Sequence, residues 1–183
     1  MAIAIPKKKK CTYEDYAKLP EGAPYQLING ELIMTPAPTP YHQKISSKLG
    51  YFLRDFVFKK DLGEVFDAPI DVYFEETETY QPDIIFISKE RLNIIKETKI
   101  EGAPDLIIEI LSPATAYYDL RKKFKIYEKH GVKEYWIVDP EEKSIEIYIN
   151  EKQKFILVET KNKTGTIKSQ LLKNFEIELE KIF

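Results

Sequence analysis

The apolar residues between positions 41 and 60 recur three or four positions apart. They are Tyr41, Ile45, Leu49, Phe52, Leu53, Phe56 and Val57. Residues with this spacing share one face of a helix. Pro36, Pro38 and Pro40 precede them and favour an extended chain. The pattern predicts a long amphipathic helix from about Tyr41 to about Lys60.

Short apolar runs elsewhere predict strands. YQLI and ELIM flank Asn29-Gly30, a pair that favours the positive φ angles of a hairpin turn. Further strands are predicted over 64–75, with a break at Pro69, and over 83–88. In 106–111 the apolar residues are nearly continuous, which is typical of a central strand covered on both faces.

The second half of the chain combines one helix with three strands. A helix is predicted from about Tyr117 to His130, and Gly131 is a typical residue to end it. EYWIVD, SIEIYI and KFILVE then predict an antiparallel meander. A shorter helix is predicted after Thr12, where Asp15, an acid three residues later, gives a pattern close to a capping box. Together these elements predict an α/β fold with a mixed sheet flanked by helices.

Length and composition narrow the class of protein. The chain has 183 residues, 43% of them hydrophobic, and a net charge of −2. We expect a mobile tail over 1–11 and one globular domain over 12–183. The single cysteine, Cys11, excludes a disulfide framework and favours a reducing compartment, the cytoplasm. No apolar run approaches the about 20 residues that a membrane span needs.

The charge gives no bulk attraction to nucleic acid. A nucleic-acid contact would need a local basic patch, for which the lysine run over 7–10 is one candidate. Such a run is more often a solvated tail.

Glu109 is the residue whose position most strongly suggests chemistry. It lies inside LIIEIL, where every neighbour is apolar. A buried carboxylate is costly unless it is paired with a cation or binds a metal. A buried salt bridge to Arg or Lys is therefore the structural alternative to a catalytic role.

Asp83 is a second acid that could act with Glu109. It follows Pro82 and precedes the apolar strand IIFI, so we expect it at the end of that strand. Two carboxylates on neighbouring strands could bind Mg²⁺, which prefers one or two carboxylates completed by water and phosphate. Taken alone, Asp83 is more typical of a turn or cap residue. Asp105 is a weaker candidate, because it lies at the far end of the strand that contains Glu109.

The predicted helix after Glu109 offers a cation. Asp119, Lys123 and Tyr127 are four residues apart and share one helical face. Lys123 could orient a water molecule or stabilise charge on a phosphate. The alternative is an exposed helix pair of Asp119 and Lys123 that contributes about 0.3–0.5 kcal/mol.

Other polar residues are less specific. Lys122, Lys125 and Lys129 form a separate stripe, which we expect to be solvated but able to contact phosphates. His42 is by default a structural histidine, given its apolar neighbours. Glu31, just after the Asn-Gly turn, is by default a surface residue.

Three segments together resemble a known family. PDIIFIS, GAPDLIIEILSPAT and DLRKKFKIYEKHGVKEYWIVDP are similar to the Uma-two family of restriction-endonuclease-like proteins, within the PD-(D/E)XK nuclease superfamily. The resemblance runs from YQLINGEL to the C-terminal meander. It implies a restriction-endonuclease-like core, an N-terminal hairpin and an Mg²⁺-dependent phosphodiesterase site at which Mn²⁺ can substitute.

The resemblance also implies roles for single residues. The motif's two acids fall on Asp83 and Glu109, and its lysine position falls on Leu111. The lysine of this family lies on the following helix, which corresponds to Lys123. Glu31 and His42 match further family positions, and Glu31 would support the metal's outer shell or a second ion. Two family acids are replaced here, by Gln26 and Asn29.

These residues lead to one main hypothesis and two alternatives. The main hypothesis is a metal-dependent endonuclease acting on nucleic acid, with DNA as the expected substrate. In it Asp83 and Glu109 bind Mg²⁺, Lys123 assists the reaction, and His42, Lys122, Lys125 and Tyr127 bind substrate or support the site. A homodimer would suit the cutting of two strands. The alternatives are a catalytically silent DNA-binding module and an assembly protein in which the same residues form a buried ion-pair cluster.

Overall fold

The structure is a computed structural model that describes residues 10–20, 22–113 and 116–183. Its strands are β1 (Tyr25–Ile28), β2 (Glu31–Met34), β3 (Gly63–Asp67), β4 (Val72–Glu75), β5 (Glu78–Tyr80), β6 (Ile84–Ser88), β7 (Ile100–Glu101), β8 (Leu106–Ile110), β9 (Glu134–Asp139), β10 (Ser144–Glu151), β11 (Lys154–Asn162), β12 (Thr166–Lys168) and β13 (Glu176–Glu178). Its α-helices are α1 (Tyr13–Tyr16), α2 (Pro40–Lys59), α3 (Phe124–His130) and α4 (Leu179–Ile182). A 3₁₀-helix covers Lys89–Ile94 and a π-helix covers Tyr118–Lys123.

The main sheet has six strands in the order β11-β10-β9-β8-β6-β3. Strand β8 runs parallel to β9 and antiparallel to β6, and all five of its residues are buried. The nearly continuous apolar run that predicted a central strand is confirmed. The predicted mixed sheet, N-terminal hairpin and C-terminal meander of β9, β10 and β11 are also confirmed.

Successive residues of β6 and β8 pack on opposite faces of this sheet, as the pleat of a strand requires. On one face, Ile84 and Ile108 join the core that buries α2. On the other face, Ile85 and Ile107 join the core that includes Tyr127 of α3. Glu109 alternates with Ile108 and therefore points to the α3 side.

A second sheet has five strands in the order β2-β1-β5-β4-β7, and β12 pairs with β13 in a small sheet. The β1–β2 hairpin turns at Asn29 and Gly30, whose φ angles are 52° and 75°. The hairpin was predicted from this pair. The short strands β5, β7, β12 and β13 were not predicted, because segments of two or three residues have no readable period.

The two predicted long helices are present, with one difference in winding. Helix α2 begins one residue earlier than predicted and is capped by Thr39, whose hydroxyl accepts a hydrogen bond from the backbone N–H of His42 (3.2 Å). The second helix ends as predicted at Gly131, with a φ of 78°. Its first half is a π-helix rather than an α-helix. None of the helices in the described ranges is long and apolar enough to cross a membrane.

The predicted N-terminal tail is described only in part, since residues 1–9 lie outside the described ranges, and with them most of the lysine run. Lys10 Nζ donates a hydrogen bond of 2.6 Å to Asn29 Oδ1. The backbone N–H of Cys11 donates one of 2.9 Å to the carbonyl of Gly30. These two residues therefore contact the hairpin turn. The division into a tail and one domain stays a prediction.

Candidate active site

Asp83, the residue before β6, lies beside Glu109 of β8. In the antiparallel pair of β6 and β8, Ile84 is opposite Ile108. Asp83 directly precedes Ile84 and Glu109 directly follows Ile108, so extending the register by one residue beyond β6 places these two acids opposite each other. Directly opposed residues of an antiparallel pair project from the same side of the sheet.

Main-chain and imidazole groups hold the Asp83 carboxylate. Asp83 Oδ2 accepts a hydrogen bond of 2.7 Å from the backbone N–H of Ile110. His42 Nε2, from the first turn of α2, lies 3.4 Å from the same oxygen and 3.0 Å from the carbonyl oxygen of Ile110. His42 is buried, and within the described residues its Nδ1 has no hydrogen-bond partner. His42 therefore contacts a candidate metal ligand and is more than a packed core residue.

Side chains from the π-helix and α3 hold the Glu109 carboxylate. Glu109 Oε1 accepts a hydrogen bond of 2.9 Å from Lys123 Nζ and one of 2.6 Å from the Tyr127 hydroxyl. Lys123 Nζ also lies 2.9 Å from Asp119 Oδ1. The expectation that Asp119 and Lys123 form an exposed pair is wrong, because both side chains are only 2–3% exposed. They are buried because this face of the helix packs on β8.

Burial and neighbouring charges shift the pKa values of this cluster. Burial raises the pKa of Glu109 to about 8; Lys123 opposes the shift, the Asp119 and Asp83 charges add to it, and Tyr127 opposes it weakly. Burial lowers the pKa of Lys123, but Asp119 and Glu109 outweigh it and hold this pKa above its ordinary value. Burial likewise lowers the pKa of His42, but the hydrogen bond and charge of Asp83 give a net increase. Lys123 is therefore a permanent cation at neutral pH.

The chemistry of the oxygen atoms fits a hard divalent cation. One oxygen each of Asp83 and Glu109 is used by the protein, whereas Asp83 Oδ1 and Glu109 Oε2 accept no hydrogen bond from the described part of the chain. No group of three His, Cys, Asp or Glu side chains able to hold a metal is present in residues 10–20, 22–113 and 116–183. Mg²⁺ needs only one or two carboxylates when water and phosphate complete its coordination. The pair Asp83 and Glu109 meets this requirement.

The remaining predicted site residues do not join this cluster. Glu31 is exposed on β2, the edge strand of the second sheet, and its carboxylate makes no hydrogen bond or ion pair within the described residues. Lys122 is half-buried and Lys125 is exposed on the helix that carries Lys123. Neither lysine forms an ion pair with a described residue. They remain available to solvent near the cluster.

Two residues that stand apart from the cluster have structural partners. Asp105, at the other end of β8, lies 3.0 Å from Arg91 Nη1 and 2.7 Å from Lys133 Nζ. Gln26 Oε1 accepts a hydrogen bond of 3.0 Å from the backbone N–H of Gln81, two residues before Asp83. Gln26 thus supports the segment that leads to Asp83.

Sequence reasoning placed Asp119 on the correct helical face but did not nominate it as a site residue. The available signal was its spacing of four residues from Lys123. The sequence does not show that this face is buried against Glu109, since the contact joins two elements through the tertiary fold.

Comparisons with known proteins identify the family of this chain. The sequence matches the model of the Uma2 family, described as "Putative restriction endonuclease", over residues 13–180. An uncharacterized protein of Synechocystis, sll1609, is 26% identical over 116 residues, which cover 62% of this chain and 65% of that protein. The chain thus matches less than two thirds of the length of this curated relative.

A solved structure is also similar. It is described as "a putative nuclease belonging to DUF820" from Anabaena variabilis, with a TM-score of 0.77 and 24% sequence identity over 94% of this chain and 97% of that one. At this identity the likeness establishes a common fold.

Proposed function

The chain belongs to the Uma2 family, and from this membership and its carboxylate cluster we propose a metal-dependent endonuclease that hydrolyses phosphodiester bonds of nucleic acid, with DNA as the expected substrate. One observation carries the proposal. Asp83 and Glu109 face each other, and each keeps one oxygen that has no hydrogen-bond donor among the described residues. Together with Asp119 they give three carboxyl groups beside one lysine and one histidine, so ionisation of Glu109 leaves an excess of negative charge that a divalent cation would balance.

Asp83 Oδ1 and Glu109 Oε2 would hold the metal, Mg²⁺ or Mn²⁺. Such an ion neutralises charge on the scissile phosphate and makes a nearby water molecule more acidic. Hydrogen bonds from Ile110 and Tyr127 to the other two oxygens fix the orientation of these carboxylates. Preorganised ligands of this kind save the cost of ordering them at the moment of reaction.

Lys123 acts in this proposal as a cation rather than as a base. The raised pKa of Lys123 keeps its ammonium protonated, so it cannot accept a proton from water at neutral pH. A protonated lysine can donate hydrogen bonds and stabilise negative charge that develops on phosphate. Of the two roles considered for Lys123, stabilisation of charge is therefore favoured over deprotonation of water.

Other side chains near the cluster would support this reaction. His42 bridges Asp83 and the carbonyl of Ile110, and so helps to position the metal ligand. Lys122 and Lys125 lie on the same helical segment as Lys123 and could bind backbone phosphates. A homodimer would present two such sites to the two strands of a duplex.

The buried contact of Lys123 with Glu109 also favours a second candidate function. An assembly or DNA-binding protein without turnover could keep this pair as a structural ion pair. The net charge of −2 is consistent with this alternative. The raised pKa of Glu109 speaks against it, because an acid held in a structural ion pair has a lowered pKa.

A cleavage assay tests the proposed function. Supercoiled plasmid and single-stranded DNA and RNA are incubated with the protein in Mg²⁺, Mn²⁺ or EDTA. We expect cleavage with either metal and none in EDTA, and Asp83→Asn should reduce cleavage to the EDTA background. Asp55→Asn is a matched control, since Asp55 pairs with Lys59 on the surface of α2, and it should cleave like wild type.

Two outcomes of this assay oppose the proposal. Binding of DNA without cleavage in either metal would identify the silent module. An Asp83→Asn variant that cleaves as fast as wild type would remove Asp83 from the site.

A further inference from the structure

The ammonium of Lys123 lies between two buried carboxylates. Its Nζ is 2.9 Å from Glu109 Oε1 and 2.9 Å from Asp119 Oδ1. The three side chains are at most 3% exposed, so water cannot replace either partner. A single cation is thus shared by an acid on the central strand β8 and an acid on its own helix.

The local backbone fixes Asp119 at this place. Asp119 and Lys123 both belong to the π-helix over Tyr118–Lys123, and the regular helix α3 begins only at the next residue. π-helical turns inside helices are rare and occur frequently at functional sites. The hydroxyl of Tyr135, on β9, donates a hydrogen bond of 3.3 Å to the carbonyl oxygen of Asp119. Asp119 is therefore anchored to the sheet independently of Lys123.

A metal ion at Glu109 would compete with Lys123 for the charge of that carboxylate. A lysine that had only Glu109 as partner would then become a buried cation without adequate compensation, which is strongly destabilising. Asp119 offers a second carboxylate at the same distance from the ammonium. Binding of a metal by Glu109 therefore destabilises the Lys123 ammonium less than it would without Asp119.

We propose that Asp119 is a positioning residue that keeps the Lys123 ammonium in place when Glu109 gives its charge to a divalent cation. The coupling to metal rests on the proposed function. The sharing of Lys123 between two acids does not, so the two parts are tested separately.

Thermal melts in EDTA test the sharing of Lys123. Glu109→Gln imitates a Glu109 whose charge is neutralised by a bound cation, because Gln keeps the shape of the side chain and lacks its charge. We expect Glu109→Gln and Asp119→Asn each to melt within a few degrees of wild type, since the other acid remains. The double variant should lose melting temperature relative to wild type, and this loss should exceed the sum of the two single losses by roughly 10 °C. Additive effects would overturn the proposal.

Two further variants control this experiment. Adding Lys123→Met to the double variant removes the buried cation that has lost both partners, and should restore most of the lost melting temperature. No recovery in this triple variant would contradict the proposal. The comparison also holds if the double variant fails to fold. Asp105→Asn combined with Glu109→Gln should give additive effects, because Asp105 pairs with Arg91 and Lys133 at the other end of β8.

A calorimetric titration with Mn²⁺ tests the coupling to metal. In Asp119→Asn the ammonium has only Glu109 left and competes with the ion, so the Kd for Mn²⁺ should rise by about 10-fold or more. An unchanged Kd in a folded Asp119→Asn variant would overturn the positioning role. If wild type itself binds no Mn²⁺, the proposed function and the metal coupling both fail, whereas the melts in EDTA still decide whether Lys123 is shared.

Discussion

The backbone N–H of Ile110 donates a hydrogen bond of 2.7 Å to Asp83 Oδ2. This bond ties the residue before β6 to the residue after Glu109, so the two acids are held side by side. Their proximity in a buried place has a cost, because the Asp83 charge contributes to the raised pKa of Glu109. A divalent cation bound by both carboxylates would remove this repulsion, so metal binding should stabilise the folded protein.

We predict that Glu109→Gln abolishes turnover without destabilising the metal-free protein. The raised pKa of Glu109 means that its carboxyl is largely protonated at pH 7, and Gln resembles that neutral form. The amide oxygen can still accept hydrogen bonds from Lys123 and Tyr127. Denaturant unfolding in EDTA should give a free energy of unfolding within about 1 kcal/mol of wild type, or above it. A loss of about 3–5 kcal/mol would instead identify Glu109 as a structural ion-pair partner.

The same shift predicts how metal-free stability depends on pH. The folded protein holds the Glu109 proton up to a pKa of about 8, whereas the unfolded chain releases it near the ordinary value of 4.5. Between these values the folded state binds more protons, so this contribution to stability decreases as pH rises. Unfolding free energies of wild type minus Glu109→Gln, measured in EDTA from pH 5 to pH 9, should fall over this range. A flat or rising difference is inconsistent with a raised pKa.

Metal binding should release a proton from Glu109. At pH 6.5 the carboxyl is mostly protonated in the metal-free protein, and a bound cation needs its charged form. Calorimetric Mn²⁺ titrations in buffers of different ionisation enthalpy should report release of about one proton per ion at pH 6.5 and less above pH 8. Binding heats that do not depend on the buffer would show that Glu109 is already ionised.

Lys123 and Lys125 form a matched pair for testing the lysine assignment. Lys123→Met removes the cation that two buried acids share, and we expect a loss of about 3–5 kcal/mol of stability in EDTA together with loss of turnover. Lys125 is exposed, and Lys125→Met should change stability by no more than about 0.5 kcal/mol. If Lys125→Met abolishes turnover and Lys123→Met does not, the catalytic lysine has been assigned to the wrong residue.

Asp105→Asn should destabilise the protein without affecting metal binding. Burial raises the pKa of Asp105, but Lys133, the backbone N–H of Ser88 and Arg91 outweigh it and lower the pKa below 3.8. The stabilising contribution of Asp105 is therefore present above that pH and is lost as the pH falls through the lowered pKa. At pH 7 we expect a loss of about 2–4 kcal/mol on denaturant unfolding, with the Kd for Mn²⁺ unchanged. A higher Kd for Mn²⁺ in Asp105→Asn would contradict this prediction, because it would show that metal binding depends on the ion pairs of Asp105.

Local patterns in the sequence were sufficient to predict the framework of the site. The continuous apolar run around Glu109 predicted a central strand, and β8 is one. The spacing of four residues placed Asp119, Lys123 and Tyr127 on one face, and all three are buried in the cluster. Each of these signals depends on neighbours in the sequence.

Features that depend on distant contacts were not predictable in the same way. The π-helical winding of Tyr118–Lys123 has no sequence period of its own over six residues. The contact of His42 with Asp83 joins α2 to the start of β6, and nothing near His42 in the sequence indicates it. For Glu31, the resemblance suggested a role near the metal; the structure places it on an exposed edge strand, and that role stays a prediction.

A calorimetric titration of the full chain with Mn²⁺ tests most directly whether Asp83 and Glu109 hold a divalent cation. We predict one ion per wild-type chain, and binding that is lost in both Asp83→Asn and Glu109→Ala. Asp55→Asn, which removes a surface carboxylate that pairs with Lys59 on α2, should bind like wild type. Absence of binding to the wild-type protein, or equal affinity in the folded Glu109→Ala variant, would contradict the metal site.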